Sequence, residues 1–178
     1  DYYFAIKEFL NALKINPENY IFYANLSFAK YKLGNYEESL DELKKSEKFF
    51  KNKNSESFFS IFNNEELDKM IKIYESNNDL EQVEKVLEYM YIKDQDHQNL
   101  LLKGIVKFKK GDFYNSISDL LEFYEFDNNN KECIMYLGRA KLELKDYKNA
   151  LLDFKNYLEL EKSVEVEEFI CICENQLK

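Results

Sequence analysis

Apolar residues along this chain recur at helical spacing. Ala5, Ile6, Phe9, Ala12 and Leu13 set the pattern over residues 1–16, and that spacing predicts a helix with one buried stripe. The same periodicity predicts helices over 20–33, 36–50, 64–76, 79–93, 97–110, 113–126, 131–144, 147–160 and 165–177. Residues 20–33 are apolar nearly all round, with Ile21, Phe22, Tyr23, Leu26, Phe28, Ala29, Tyr31 and Leu33. A helix of that kind is covered on both sides. The expectation is about eleven helices, antiparallel in pairs, with no β-sheet.

The breaks between helices repeat as well. Leu33-Gly34-Asn35-Tyr36-Glu37-Glu38-Ser39 returns as Lys110-Gly111-Asp112-Phe113-Tyr114-Asn115-Ser116 and as Lys145-Asp146-Tyr147-Lys148-Asn149-Ala150. Asn78-Asp79-Leu80 is a looser copy and Asp1-Tyr2-Tyr3 opens the chain with another. The Asp or Asn anchors stand at 1, 35, 79, 112 and 146, giving intervals of 34, 44, 33 and 34. A fixed period near this length marks a helical solenoid. Glycine before the anchor suits the left-handed residue that closes a helix. The Asp or Asn is an N-cap whose side chain accepts from the free N–H groups of the next turn. Glu38 and Gln82 are expected to complete capping boxes. The small residues Ala5, Ser39, Ser116 and Ala150 let two helix backbones approach.

The pattern resembles the tetratricopeptide repeat. That repeat has an aromatic fourth, Leu-Gly seventh and eighth, Tyr eleventh, Ala twentieth, a bulky residue twenty-fourth, Ala twenty-seventh and Pro thirty-second. Tyr23, Leu26, Ser27, Ser39, Leu43 and Ser46 fall on these places in one repeat. Leu100, Gly104, Ser116 and Leu120 do so in another, and Leu137, Gly138, Ala150 and Phe154 in the next. Ala5, Phe9, Ala12 and Pro17 match the end of a first repeat. The resemblance implies an all-α fold, a right-handed α-α superhelix of helix pairs. It divides the single domain 1–178 into a truncated repeat (1–19), repeats at 20–50, 64–96, 97–130 and 131–163, an insertion at 51–63, and a capping helix or a further repeat at 164–178. Residues 1–16 then read as a second helix whose first helix precedes Asp1.

The insertion combines a polar break, Lys51-Asn52-Lys53-Asn54, with an apolar run, Ser55-Glu56-Ser57-Phe58-Phe59-Ser60-Ile61-Phe62. Phenylalanines are costly to leave in water. The run is expected to patch the solenoid with one or two helical turns, or else to dock in a groove.

Composition narrows the function. Hydrophobic residues make up 45% and charged residues 33% of the chain, and net charge is −9. That balance suits a soluble chain and opposes nucleic-acid binding, which needs a basic stripe. No stretch approaches the roughly 20 apolar residues of a membrane helix. Cys133, Cys171 and Cys173 form no pairing or metal-ligand pattern and read as small residues in a reducing, cytoplasmic (intracellular) setting. His97 has no nucleophile or second His nearby in sequence. No phosphate loop, catalytic constellation or cofactor motif is present.

The family lines its concave face with the first helix of each repeat. Carried over, this places Phe28 in the first complete repeat, Leu101, Leu102, Ile105 and Phe108 in the fourth, and Met135, Tyr136, Arg139 and Leu142 in the fifth. The resemblance thus implies a non-enzymatic scaffold that binds a protein or peptide partner in an apolar trough, without cofactor. The alternatives are a self-assembly element whose groove is filled by its own chain or another copy, and a regulatory module of a larger protein. Chaperone-binding members hold a peptide carboxylate with a clamp of Lys, Asn and Arg. Asn25 matches its middle Asn, but Glu65 stands where Lys is needed and Lys69 where Arg is usual, so that clamp is not expected.

Overall fold

A computed structural model describes residues 1–51 and 57–178. Among the described residues there are ten α-helices and no strand. They are α1 (Tyr2–Ile15), α2 (Tyr20–Lys32), α3 (Tyr36–Lys51), α4 (Asn64–Ser76), α5 (Leu80–Asp94), α6 (His97–Lys109), α7 (Phe113–Phe126), α8 (Lys131–Glu143), α9 (Tyr147–Leu160) and α10 (Val164–Gln176). A 3-10 helix, Phe58–Ile61, precedes α4. The polar break over 52–54, with Ser55 and Glu56, lies outside the described residues. The chain forms two compact units, Asp1–Val86 and Leu87–Lys178, with the boundary inside α5.

The repeated breaks act as the sequence predicts. Gly34 and Gly111 both have φ +81, and Asn78 (φ 55) and Lys145 (φ 62) occupy the equivalent place. Beyond each, the anchor residue's N–H returns to a carbonyl five residues back. The bonds are Asn35 to Lys30, Asp79 to Tyr74, Asp112 to Lys107 and Asp146 to Lys141, at 2.8–3.1 Å. This is the Schellman closure, which satisfies a carbonyl that the helix end would orphan. The third repeat closes in the same register as the others. Capping differs in detail. Glu38 turns to Lys30 Nζ at 3.0 Å, and a capping box of Asn63 with Glu66 opens α4. In α7 and α9 the side-chain amides of Asn115 and Asn149 donate to the capping carboxylates of Asp112 and Asp146 at 2.8 and 2.7 Å.

Between α2 and α3, and between α6 and α7, small residues meet. Ser27 and Ser39 are fully buried, and each hydroxyl donates to the other's carbonyl, at 2.7 and 2.9 Å. Ser116 donates to the Gly104 carbonyl at 2.8 Å. Polar groups this deep must be hydrogen-bonded to be tolerated.

In the first unit the insertion's phenylalanines patch the core. Phe58 and Phe62 are buried. Their rings pack edge-on at 5.1 Å, Phe58 meets Phe50 at 5.5 Å, and Phe62 meets Phe28 at 6.3 Å. In the second unit one cluster joins Leu100, Leu101, Ile105, Leu120, Phe123, Cys133 and Leu137. Another joins Ala150, Phe154, Val166 and Cys173 beneath α10.

A further recurrence escaped the sequence reading. Where the tetratricopeptide repeat carries Tyr eleventh, three repeats here carry Lys30, Lys107 and Lys141. Each reaches an acid twelve residues on. Lys30 meets Glu42 at 2.9 Å, Lys107 meets Asp119 at 2.7 Å and Lys141 meets Asp153 at 2.6 Å. All six side chains are at most 16% exposed. The third repeat keeps the aromatic. Tyr74 is 1% exposed, and its hydroxyl has no hydrogen-bond partner among the described residues.

Candidate functional site

The residues expected to line a trough divide by burial. Leu101 (1% exposed) and Ile105 (5% exposed) are interior. They pack in one cluster with Cys133 and Leu137 of α8 and Leu120 and Phe123 of α7. Packing against α7 and α8 takes both off the solvent-exposed surface, so they are core residues here and not part of the proposed contact. Leu102, next along α6, is 38% exposed.

One turn further along, α6 and α8 bring three predicted residues together. Phe108 of α6 meets Tyr136 of α8 edge-on, with ring centroids 5.2 Å apart, and leans on Phe113 at 5.4 Å. Arg139, one turn after Tyr136, lays its guanidinium 5.0 Å from the Phe108 centroid and 5.6 Å from that of Tyr136. Phe108, Tyr136 and Arg139 are all half-buried. A guanidinium over a ring face is attracted by the ring quadrupole, and its N–H edge stays available to an acceptor. Met135 and Leu142, also half-buried, pack against the Ala150–Phe154–Val166–Cys173 cluster.

Behind this face, α6 is tied down by charge. Lys103 is buried and sits between Glu88, to which it donates, and Asp119 at 3.6 Å. Its ammonium lies 5.5 Å from the Tyr91 centroid, and the Tyr91 hydroxyl donates to Glu122. Burial raises the Asp119 carboxyl above its usual range, against the opposing pull of Lys107 and Lys103. Lys103 is raised above the usual lysine value: burial lowers it, but Glu88 and Asp119 outweigh that. These groups fix α6 and supply no reactive pair. The sequence signal for Lys107 and Asp119 is the spacing shared with Lys30–Glu42 and Lys141–Asp153, a lysine five residues before the anchor and an acid seven after it.

Phe28 lies in the first unit. It is half-buried on α2 and lines a cleft with Phe9 and Ala5 of α1, Asn25 and Lys32 of α2, and Lys69 of α4. Lys69 Nζ stands 5.9 Å from the Phe28 centroid and pairs with Glu65 at 2.7 Å. The hydrogen bond from Lys69 holds the Glu65 carboxyl below its usual range. Lys69 is thus committed to Glu65 in the region where the family's clamp would need free cations.

His97 stacks flat on Phe126 at 4.3 Å. Cys133 donates to the Leu120 carbonyl, and burial pushes its thiol up to about 12. Among the described residues no group of three or more His, Cys, Asp or Glu side chains is placed to hold a metal ion. Among the same residues no helix is long and apolar enough to cross a membrane.

No family model matches the chain, and no curated protein matches it. Solved structures do. MamA (AMB-1) is 16% identical, with a TM-score of 0.64 over 89% of this chain and 82% of its own. YrrB, described as a TPR protein with an unusual peptide-binding site, is 14% identical, with a TM-score of 0.59 over 93% and 81%. The TPR2B domain of yeast Sti1, in complex with pHsp70, is 19% identical, with a TM-score of 0.56 over 63% of this chain and 96% of that one. The chain has the tetratricopeptide-repeat fold of these proteins.

Proposed function

We propose that this tetratricopeptide-fold chain is a non-enzymatic interaction scaffold that binds a partner peptide on the α6–α8 face. The observation that carries the reading is the half-buried Phe108–Tyr136–Arg139 cluster, on the same helix pair whose α6 also exposes Leu102. Aromatic and arginine anchors at the centre of a contact dominate binding energy. The helices beneath them are held by a packed core and a buried ion-pair network, so the anchors are presented in one geometry. Such pre-organisation reduces the ordering cost of association. The peptide-binding site named for YrrB and the pHsp70 complex named for Sti1 support this use of the fold. Arg139 takes a carbonyl or carboxylate of the partner, and the rings take an apolar side chain.

Peptides selected from a random library on the wild-type chain, measured by fluorescence anisotropy, test the assignment. Tyr136→Asp should abolish binding, and Arg139→Ala should weaken it several-fold. Leu102→Asp, at an exposed position, should weaken binding without disturbing the core. Selected peptides that bind all three variants as tightly as the wild type would remove the site from this face.

A further inference from the structure

A second surface lies in the first unit, on residues the proposal above does not use. Between α1 and α3, over α2, runs an open groove. Its apolar lining comes from Ile6, Leu10 and Leu13 of α1 and from Tyr23 and Leu26 of α2. Leu10 is 46% exposed and Tyr3, at one end, is 73% exposed.

The rim is cationic. Lys7 and Lys14, two turns apart on α1, flank one side, and Lys45 of α3 flanks the other. The single acid in the lining is Glu42. Both of its oxygens are already engaged, Oε1 by Lys30 at 2.9 Å and Oε2 by Lys45 at 3.1 Å. Lys45 also lies 5.9 Å from the Tyr23 centroid, so it is drawn toward the groove floor. Lys7 and Lys14 are exposed. With Lys45 spent on Glu42, Lys7 and Lys14 set the charge of the rim, in a chain of net charge −9. An acidic chain repels acidic partners in general, so a local basic rim around an apolar floor selects where one can approach.

We infer that this groove binds an acidic amphipathic helix of a partner protein, its apolar stripe on Ile6, Leu10 and Tyr23 and its flanking carboxylates on Lys7 and Lys14. The mode is helix-in-groove recognition, in which apolar anchors at helical spacing supply affinity and flanking charges fix orientation. The charged contacts lie at the rim, so they act on encounter rate and selectivity and weaken as salt rises.

The probe is a labelled synthetic helix with Leu and Phe at helical spacing and Glu at the flanking positions, compared with a twin carrying Lys for Glu. The full chain should bind the Glu peptide at least ten-fold more tightly than the Lys peptide at low salt. Lys7→Glu/Lys14→Glu, both at exposed positions, should reverse that preference with melting unchanged. Leu10→Asp should weaken both peptides. Tyr136→Ala/Arg139→Ala should leave this binding intact, which separates its failure from failure of the α6–α8 site. Equal affinity for the two peptides, or a preference unmoved by Lys7→Glu/Lys14→Glu, overturns the inference. So does a dimer in light scattering that the same variant dissolves, since the occupant is then a second copy. Capture by anionic vesicles in preference to the Glu peptide also overturns it.

Discussion

Gly138 of α8 lies directly against the ring of Phe154 of α9. A Cβ built on Gly138 would come within 2.6 Å of the ring, closer than real contacts allow. Phe154 is fully buried in the cluster beneath α10 and has no room to swing away. Gly138→Leu should therefore overpack the pair and cost about 1–3 kcal/mol. Gly138→Ala should cost less, because it adds a single methyl group, and its clash is partly offset by about 1 kcal/mol of helix propensity over glycine. Urea denaturation of both variants measures the difference. A Gly138→Leu midpoint equal to wild type would contradict the close approach.

Tyr74 should be a site of easy stabilisation. Its hydroxyl is buried without a hydrogen-bond partner among the described residues, a state that costs about 1–3 kcal/mol. Tyr74→Phe keeps the ring and removes the orphan, so stability at neutral pH should rise by about 1 kcal/mol. Burial also lifts the phenol above its ordinary value, with Glu47 and Asp79 adding to it. The folded pKa is raised, so this contribution is intact below about pH 10 and is lost as pH rises from there toward the native value. The wild type should lose stability across that alkaline window faster than Tyr74→Phe. Parallel loss in both proteins would show that Tyr74 is not the group responsible.

The pair Lys141–Asp153 should be asymmetric to mutation. Both side chains are mostly buried, at 16% and 13% exposure. Burial raises the Asp153 carboxyl above its usual range, with Lys141 pulling the other way. Asp153→Ala leaves a buried ammonium alone and should cost about 3 kcal/mol. Lys141→Met/Asp153→Leu removes both charges and should recover most of that loss. Chemical denaturation of the single and double variants completes the cycle. A double variant no better than Asp153→Ala would show that the pair contributes more than its mutual neutralisation.

Lys145 closes α8 with φ 62, where Gly34 and Gly111 close α2 and α6. A Cβ in that backbone region costs roughly 1 kcal/mol. Lys145→Gly should therefore stabilise by about that amount. Gly111→Ala should lose a similar amount, and a Cβ at Gly111 would meet nothing within 4 Å, so its cost isolates the backbone term from packing. Thermal melts of the two variants should move in opposite directions.

The sequence by itself determined the helices, their ends and their pairing. Those features rest on interactions within a few residues: apolar spacing along one helix, an Asp or Asn cap, and a glycine that alone adopts φ +81 without strain. They repeat along the chain, so each copy supports the others. The tetratricopeptide fold followed from that register, and even the third repeat, with Ile71 where a small residue is usual, closes on Tyr74 as the others close on lysine. What only the tertiary structure decided was which side of each helix remains open. Leu101, Leu102 and Ile105 are equally apolar in sequence, yet packing of α6 against α7 and α8 buries the first and third and leaves Leu102 exposed. The lysine–acid pairs were written in the chain at constant spacing, but a lysine and an acid twelve apart face each other only when two helices fold back together. A helical period gives the direction of a side chain about its own axis. The distance between axes, which settles burial and partnership, belongs to contacts far apart in sequence.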